Sequence, residues 1–210
     1  MYCRILLSII CIVTFKVTIA QVTNEGKPLS WKVEDQIDVE ALKLPDFNLN
    51  YRLKQDSIRD LDRSKPYRFG KEFTVDIDID QDGQWINLSN GSRVWVVNIR
   101  SDNAKTMNFI FDEFYLPKGS KLYFYNDSKT DILGAYTSSQ NQDSGVFGSW
   151  LVEGDNIWIA YQEPAHTAKD VELYLSKAVH GYRSITDFEI AQKGLNDSGD
   201  CNLDVDCSIG

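Results

Sequence analysis

The densest set of chemistry-bearing side chains in this sequence is Asp78-Ile-Asp80-Gln-Asp82-Gly83. Oxygen ligands at positions one, three and five with Gly at six match the first half of a calcium loop of the EF-hand type. The twelfth position, which needs a bidentate Glu, is Ser89, and no helices are predicted on either side. The plainer reading is a strand with an acidic solvent face that ends in an Asp-Gly turn. Weak calcium binding through Asp78, Asp80 and Asp82 is the alternative. His166 and His180 fall outside any metal-ligand spacing. His166 follows Pro164 in a loop and is expected at the surface, whereas His180 ends the last predicted strand and is expected to be packed or hydrogen-bonded.

Asn196-Asp197-Ser198-Gly199 superficially resembles the nucleophile segment of trypsin-like proteases. A catalytic serine needs a His base, an Asp to orient it and a rigid oxyanion hole, and Ser198 has no strand to hold it. Phosphate-binding loops, dinucleotide glycine motifs and zinc-protease helices are likewise missing, so the residues point to no catalytic group, no cofactor and no metal. Tyr115, Tyr123, Tyr125 and Trp150 could stack on a sugar, but aromatics at alternating strand positions are more often core or cross-strand pairs. Asn-x-Ser sequences at Asn87, Asn90, Asn126 and Asn196 matter only in a eukaryotic secretory host.

The elements that must position these groups read as strands. Trp95, Val97 and Ile99 alternate along one run, Met107, Phe109 and Phe111 along the next, Leu122 and Phe124 along a third. A period of two with aromatic and β-branched residues is the pattern of strands with one buried face. Phe73, Val75, Ile77 and Ile79 alternate with Thr74, Asp76, Asp78 and Asp80 in the same way. Asp82-Gly83 and Asn90-Gly91 predict two-residue hairpins, and Leu116-Pro117-Lys118-Gly119 predicts a type I turn. Further strands are expected over 132–137, 145–152, 157–161 and 171–179. In all, about nine strands at roughly ten-residue spacing predict an antiparallel all-β sandwich or jelly roll over 67–183.

Flanking segments differ in kind. Residues 1–20 combine Arg4, an apolar run from Ile5 to Phe15, and small residues at Thr18 and Ala20. That is the pattern of a secretory signal peptide cleaved after Ala20, and the apolar run is too short for a membrane span. The expected location is therefore extracellular, with no membrane association after cleavage. Net charge is −9 for the whole sequence, and removing 1–20 takes away Arg4 and Lys16, leaving −11. Such acidity argues against a nucleic-acid partner. Residues 21–66 read as an arm or pro-region, with weak helical spacing at Val33, Ile37, Val39 and Leu42. Asp56 to Arg63 reads as a solvated charged run of one or two helical turns, and Trp31 and Phe47 are expected to pin the arm onto the domain. Residues 184–195 form a polar connector, and 196–210 carry Cys201 and Cys207, the two thiols left after cleavage. In an oxidising compartment a pair of thiols is expected to be bridged.

The order of landmarks carries a resemblance. Gly91-x-Arg93-x-Trp95 is followed by Ala104-Lys-Thr-Met-Asn-Phe109 and Leu116-Pro-Lys-Gly119-x-x-Leu122-Tyr-x-Tyr125-Asn126. Next come Leu133-Gly-Ala-Tyr136, Val152-x-Gly154-Asp155, Glu163-Pro164 and His180-Gly-Tyr-Arg183. Over residues 28–210 this resembles the N-terminal propeptide region of secreted bacterial lysyl endopeptidase-like serine proteases of the trypsin fold. Ser198-Gly-Asp-Cys201-Asn-x-Asp-Val-x-Cys207 is similar to the start of the mature protease in that family. The resemblance implies that 196–210 begin a protease domain cut short, which would be the partner in cis. It implies that Cys201 and Cys207 pair with cysteines deeper in that domain; pairing with each other is the second arrangement. Lys193-Gly194 is the implied processing point, since a lysine-specific protease cleaves after Lys. The implied role is non-catalytic, in folding and latency; a free-standing secreted carbohydrate- or cell-surface-binding sandwich is the rival.

Overall fold

A computed structural model describes residues 26–62, 64–167 and 170–184. Ala20, Lys193, Gly194, Ser198, Cys201 and Cys207 lie outside the described residues. Among the described residues eleven strands build two sheets: β1 (Leu42–Lys43), β2 (Gly70–Asp78), β3 (Gln84–Asn87), β4 (Arg93–Arg100), β5 (Thr106–Tyr115), β6 (Lys121–Asn126), β7 (Ile132–Tyr136), β8 (Phe147–Gly148), β9 (Val152–Glu153), β10 (Asn156–Glu163) and β11 (Glu172–Gly181). One sheet runs β4-β10-β6-β7, with β1 and β3 both on the outer edge of β4. The other runs β2-β11-β5, with β8 and β9 on the far edge of β5. All these pairings are antiparallel except β1 with β4, and the fold is an all-β sandwich. No helix among the described residues is long and apolar enough to cross a membrane.

The alternating residues meet where their period places them. Trp95, Val97, Ile99, Met107, Phe109, Phe111, Leu122 and Phe124 share one core between the sheets, and Phe109 stacks on Phe124 at 5.6 Å. Burial of such rings is the main favourable term in the fold, at roughly 25 cal/mol per Å² of apolar surface.

Several local expectations are corrected. Asp82-Gly83 joins β2 to β3, which belong to different sheets, so it is a corner and not a hairpin. The indole of Trp95 donates to the Asp82 carbonyl at 2.7 Å and turns the chain across the sandwich. Gly83 has φ +71°, and a Cβ there would lie 2.5 Å from the Val96 carbonyl oxygen. Asn90-Gly91 does close a hairpin, but with three residues between Leu88 and Ser92, whose backbones are bonded at 2.8 Å. The Pro117 turn is bonded from the Ser120 amide at 3.1 Å, which puts Gly119, φ +91°, at the third position. A positive φ there is the type II signature, not type I. The single run expected over 145–152 is two short strands, β8 and β9, broken around the exposed Trp150.

The arm is part of the sandwich. Helix α1 (Leu49–Arg59) makes three turns, longer than expected, with the Asn48 side chain accepting from the Tyr51 amide as its N-cap. Strand β1 lies along β4, and Leu44 is buried in the main core. Upstream, two short 3₁₀ turns, Leu29–Lys32 and Glu34–Gln36, lie on the outer face of the first sheet. Leu29, Trp31, Ile37 and Val39 pack there on Val94, Val96, Tyr123, Tyr125 and Ala160, a second apolar cluster. Both faces of β4 are therefore covered, which is why its burial is nearly unbroken. Trp31 and Phe47 pin the arm as expected, edge-on to Tyr125 at 5.5 Å and to Phe73 at 5.9 Å.

Candidate functional site

At the acidic corner the carboxylates of Asp78 and Asp82 are spent on the chain itself. Asp82 Oδ2 accepts from the Asp78 amide and Asp78 Oδ1 from the Asp80 amide, both at 2.9 Å. These are turn-capping bonds of the Asx kind. Among the described residues no three His, Cys, Asp or Glu side chains converge to hold a metal ion.

The structure brings together a pair that sequence spacing does not reveal. Ser101, in the loop after β4, lies 2.7 Å through Oγ from Nδ1 of His180 on β11, 79 positions away. Burial pushes the imidazole's pKa below its ordinary value, the nearby Lys71 ammonium adds to this, and Asp155 opposes it. A neutral imidazole against a serine has the right elements for nucleophilic catalysis. Two features make it structural instead. Both side chains are only 3% exposed. Asp102, the acid at the adjoining cavity, is held by Lys43 at 2.6 Å and Arg100 at 2.7 Å. The ring packs edge-on to Phe47 at 4.9 Å, so the pair ties the β4–β5 loop and the arm to β11. His166 is exposed in the β10–β11 loop.

A cavity of about 790 Å³ opens where the described chain leaves the sandwich. Arg183, Ser184, Trp150, Leu151, Asp131 and Glu153 are among the residues that line it. Trp150 is 69% exposed, the most exposed aromatic ring among the residues described as exposed and apolar. The exit is held by a latch. Asp56, 1% exposed, accepts from Arg68 Nε at 2.7 Å and from the Tyr182 hydroxyl at 2.6 Å. Arg183 pairs with Asp60 at 2.6 Å and lies over the Tyr67 ring at 4.1 Å. Burial first, and then the bond to Asp56, push the Tyr182 pKa well above the usual phenol range. The charged run of α1 is thus half buried: it anchors the end of the last strand.

Of the aromatics singled out in the sequence, Tyr123 and Tyr125 are buried beneath the arm and Trp150 stands free of the core. Asn126 is closed by its own turn, accepting from the Thr130 and Asp131 amides at 2.9 and 3.1 Å. No family model matches the chain.

Proposed function

We propose that this chain is the N-terminal, non-catalytic region of a secreted, lysyl endopeptidase-like serine protease precursor, aiding its folding and keeping it latent. The observation that carries this reading is one of order. A sandwich closed by the Asp56 latch at Arg183 is followed, after a polar connector containing Lys193-Gly194, by the Cys201-Asn-x-Asp-Val-x-Cys207 segment. Residues 1–20 and the thiol usage are consistent with export.

The exit groove supports the same reading. A folding assistant must present a surface to the segment it delivers, and an exposed Trp beside polar groups is the composition of an interface anchor. Trp150 and Leu151 stand beside the point where the connector begins.

The test adds residues 21–184 to an unfolded protease domain of the lysyl endopeptidase type and follows recovered activity, then repeats the addition with the folded enzyme. Higher recovery in the first case and slower hydrolysis in the second are expected. A sandwich that changes neither yield nor rate is not a propeptide.

A further inference from the structure

Under the arm, on the outer face of the first sheet, lies a smaller cavity of about 140 Å³. At roughly 30 Å³ per water it holds about five waters, the size of one small group and not of a chain. Tyr125 and Trp158 are direct cross-strand partners on β6 and β10, and Trp31 closes the third side from the arm. The rings of Trp31 and Tyr125 meet at 90°, forming a corner rather than a flat platform. Two carboxylates, Glu34 and Asp127, stand at the rim. Asp127 Oδ1 accepts from the Trp158 indole at 3.0 Å, which fixes that ring.

The corner already has an ammonium at its mouth. Lys129 Nζ pairs with Glu34 Oε2 at 2.5 Å and lies 5.6 Å from the centre of the Trp31 ring. Its backbone is set by the 126–131 turn, with the Lys129 amide on the Asn126 carbonyl at 2.9 Å and φ +58°. A cation over one aromatic face, that of Trp31, with two further aromatic residues and two carboxylates lining the same cavity, is the chemistry of ammonium recognition. With Lys129 counted, one negative charge remains on the rim, and the whole chain is acidic.

The geometry points to an aromatic cage for a small organic ammonium group, at which Lys129 acts as the occupant supplied in cis. An incoming ammonium displaces the Lys129 side chain from Glu34 and Trp31; a neutral sugar ring, which needs a flat exposed aromatic face, does not fit the corner. This site is on the opposite side of the first sheet from the core and does not depend on the protease reading.

The experiment follows the Trp31 and Trp158 indole resonances of the full chain during titration with tetramethylammonium, choline and n-butylammonium, with methyl glucoside as neutral control. Saturable shifts with the ammonium compounds are expected. Preference for the first two marks a quaternary headgroup as the natural ligand, preference for the third a lysine-like one. Lys129→Ala is expected to tighten binding about fivefold, the counterpart of one exposed cation–π contact, and Glu34→Gln to weaken it by a similar factor. Both positions are at the surface, so unchanged circular dichroism controls for folding. Shifts with methyl glucoside alone, no saturation with any ammonium, or indifference to Lys129→Ala would overturn the assignment.

Discussion

Tyr182 donates its hydroxyl to Asp56 at 2.6 Å across 126 positions of sequence, joining the helix that precedes the second sheet to the residue just beyond its last strand. Both groups are buried, and Arg68 completes the carboxylate's bonding from the other side. Replacing Asp56 by Ala leaves a phenol and the Arg68 guanidinium without their acceptor. The expected loss is about 3 kcal/mol in urea denaturation, against about 1 kcal/mol for Tyr182→Phe, which removes one bond and keeps the ring. Equal, small losses from both would show that the latch carries no stability.

His180 sets a pH dependence whose sign is fixed by its burial. Above its ordinary value of 6.5 the imidazole is neutral in folded and unfolded chains alike, and no penalty arises. As pH falls below 6.5 the unfolded chain takes up a proton that the buried ring resists, so stability is lost. Urea midpoints measured from pH 8 to pH 5 are expected to fall, and His180→Gln to flatten the part of the fall that begins near 6.5. Parallel curves for the two proteins would refute the assignment.

Gly83→Ala tests the corner between the sheets. The added methyl meets backbone as well as a positive φ, so relief by side-chain movement is closed off. A loss of about 2–3 kcal/mol is expected, read as a lower melting temperature.

Phe109→Ala empties one of two stacked rings at the centre of the core and is expected to cost about 3–5 kcal/mol. Trp150→Ala, by contrast, should leave stability within about 0.5 kcal/mol. Under the proposed function it should abolish the gain in protease refolding. A stable variant that still assists refolding would move the contact surface elsewhere.

What sequence could supply was the set of inward residues on β4, β5 and β6, because a period of two is local and needs no knowledge of partners. Sheet membership was not legible at Asp82-Gly83, where turn chemistry is the same for a hairpin and for a corner. The difference is made by Trp95, thirteen residues on, bonding the Asp82 carbonyl. Asp56 reads as solvated because it sits in a run of charged residues; its burial depends on Tyr182 and Arg68, which lie outside that run. Ser101 with His180, and Trp31 with Tyr125 and Trp158, are likewise brought together only by strand order. One signal was present for the last group: Tyr125 and Trp158 occupy outward positions on strands whose inward residues are Phe124, Ile157 and Ile159. Large aromatics on the outward face of a strand ask for a cover, and the arm is that cover.

The place of β11 between β2 and β5 governs when this domain can exist. It is the last strand among the described residues, and both of its neighbours are without their shared partner until Gly181 has been made. The two must wait, one for about a hundred residues of synthesis and the other for more than sixty, with their ladders open. In a nascent chain arranged in this way all strands of the first sheet are present by Glu163, while the second still lacks its middle strand. The second sheet closes last, when that middle strand arrives.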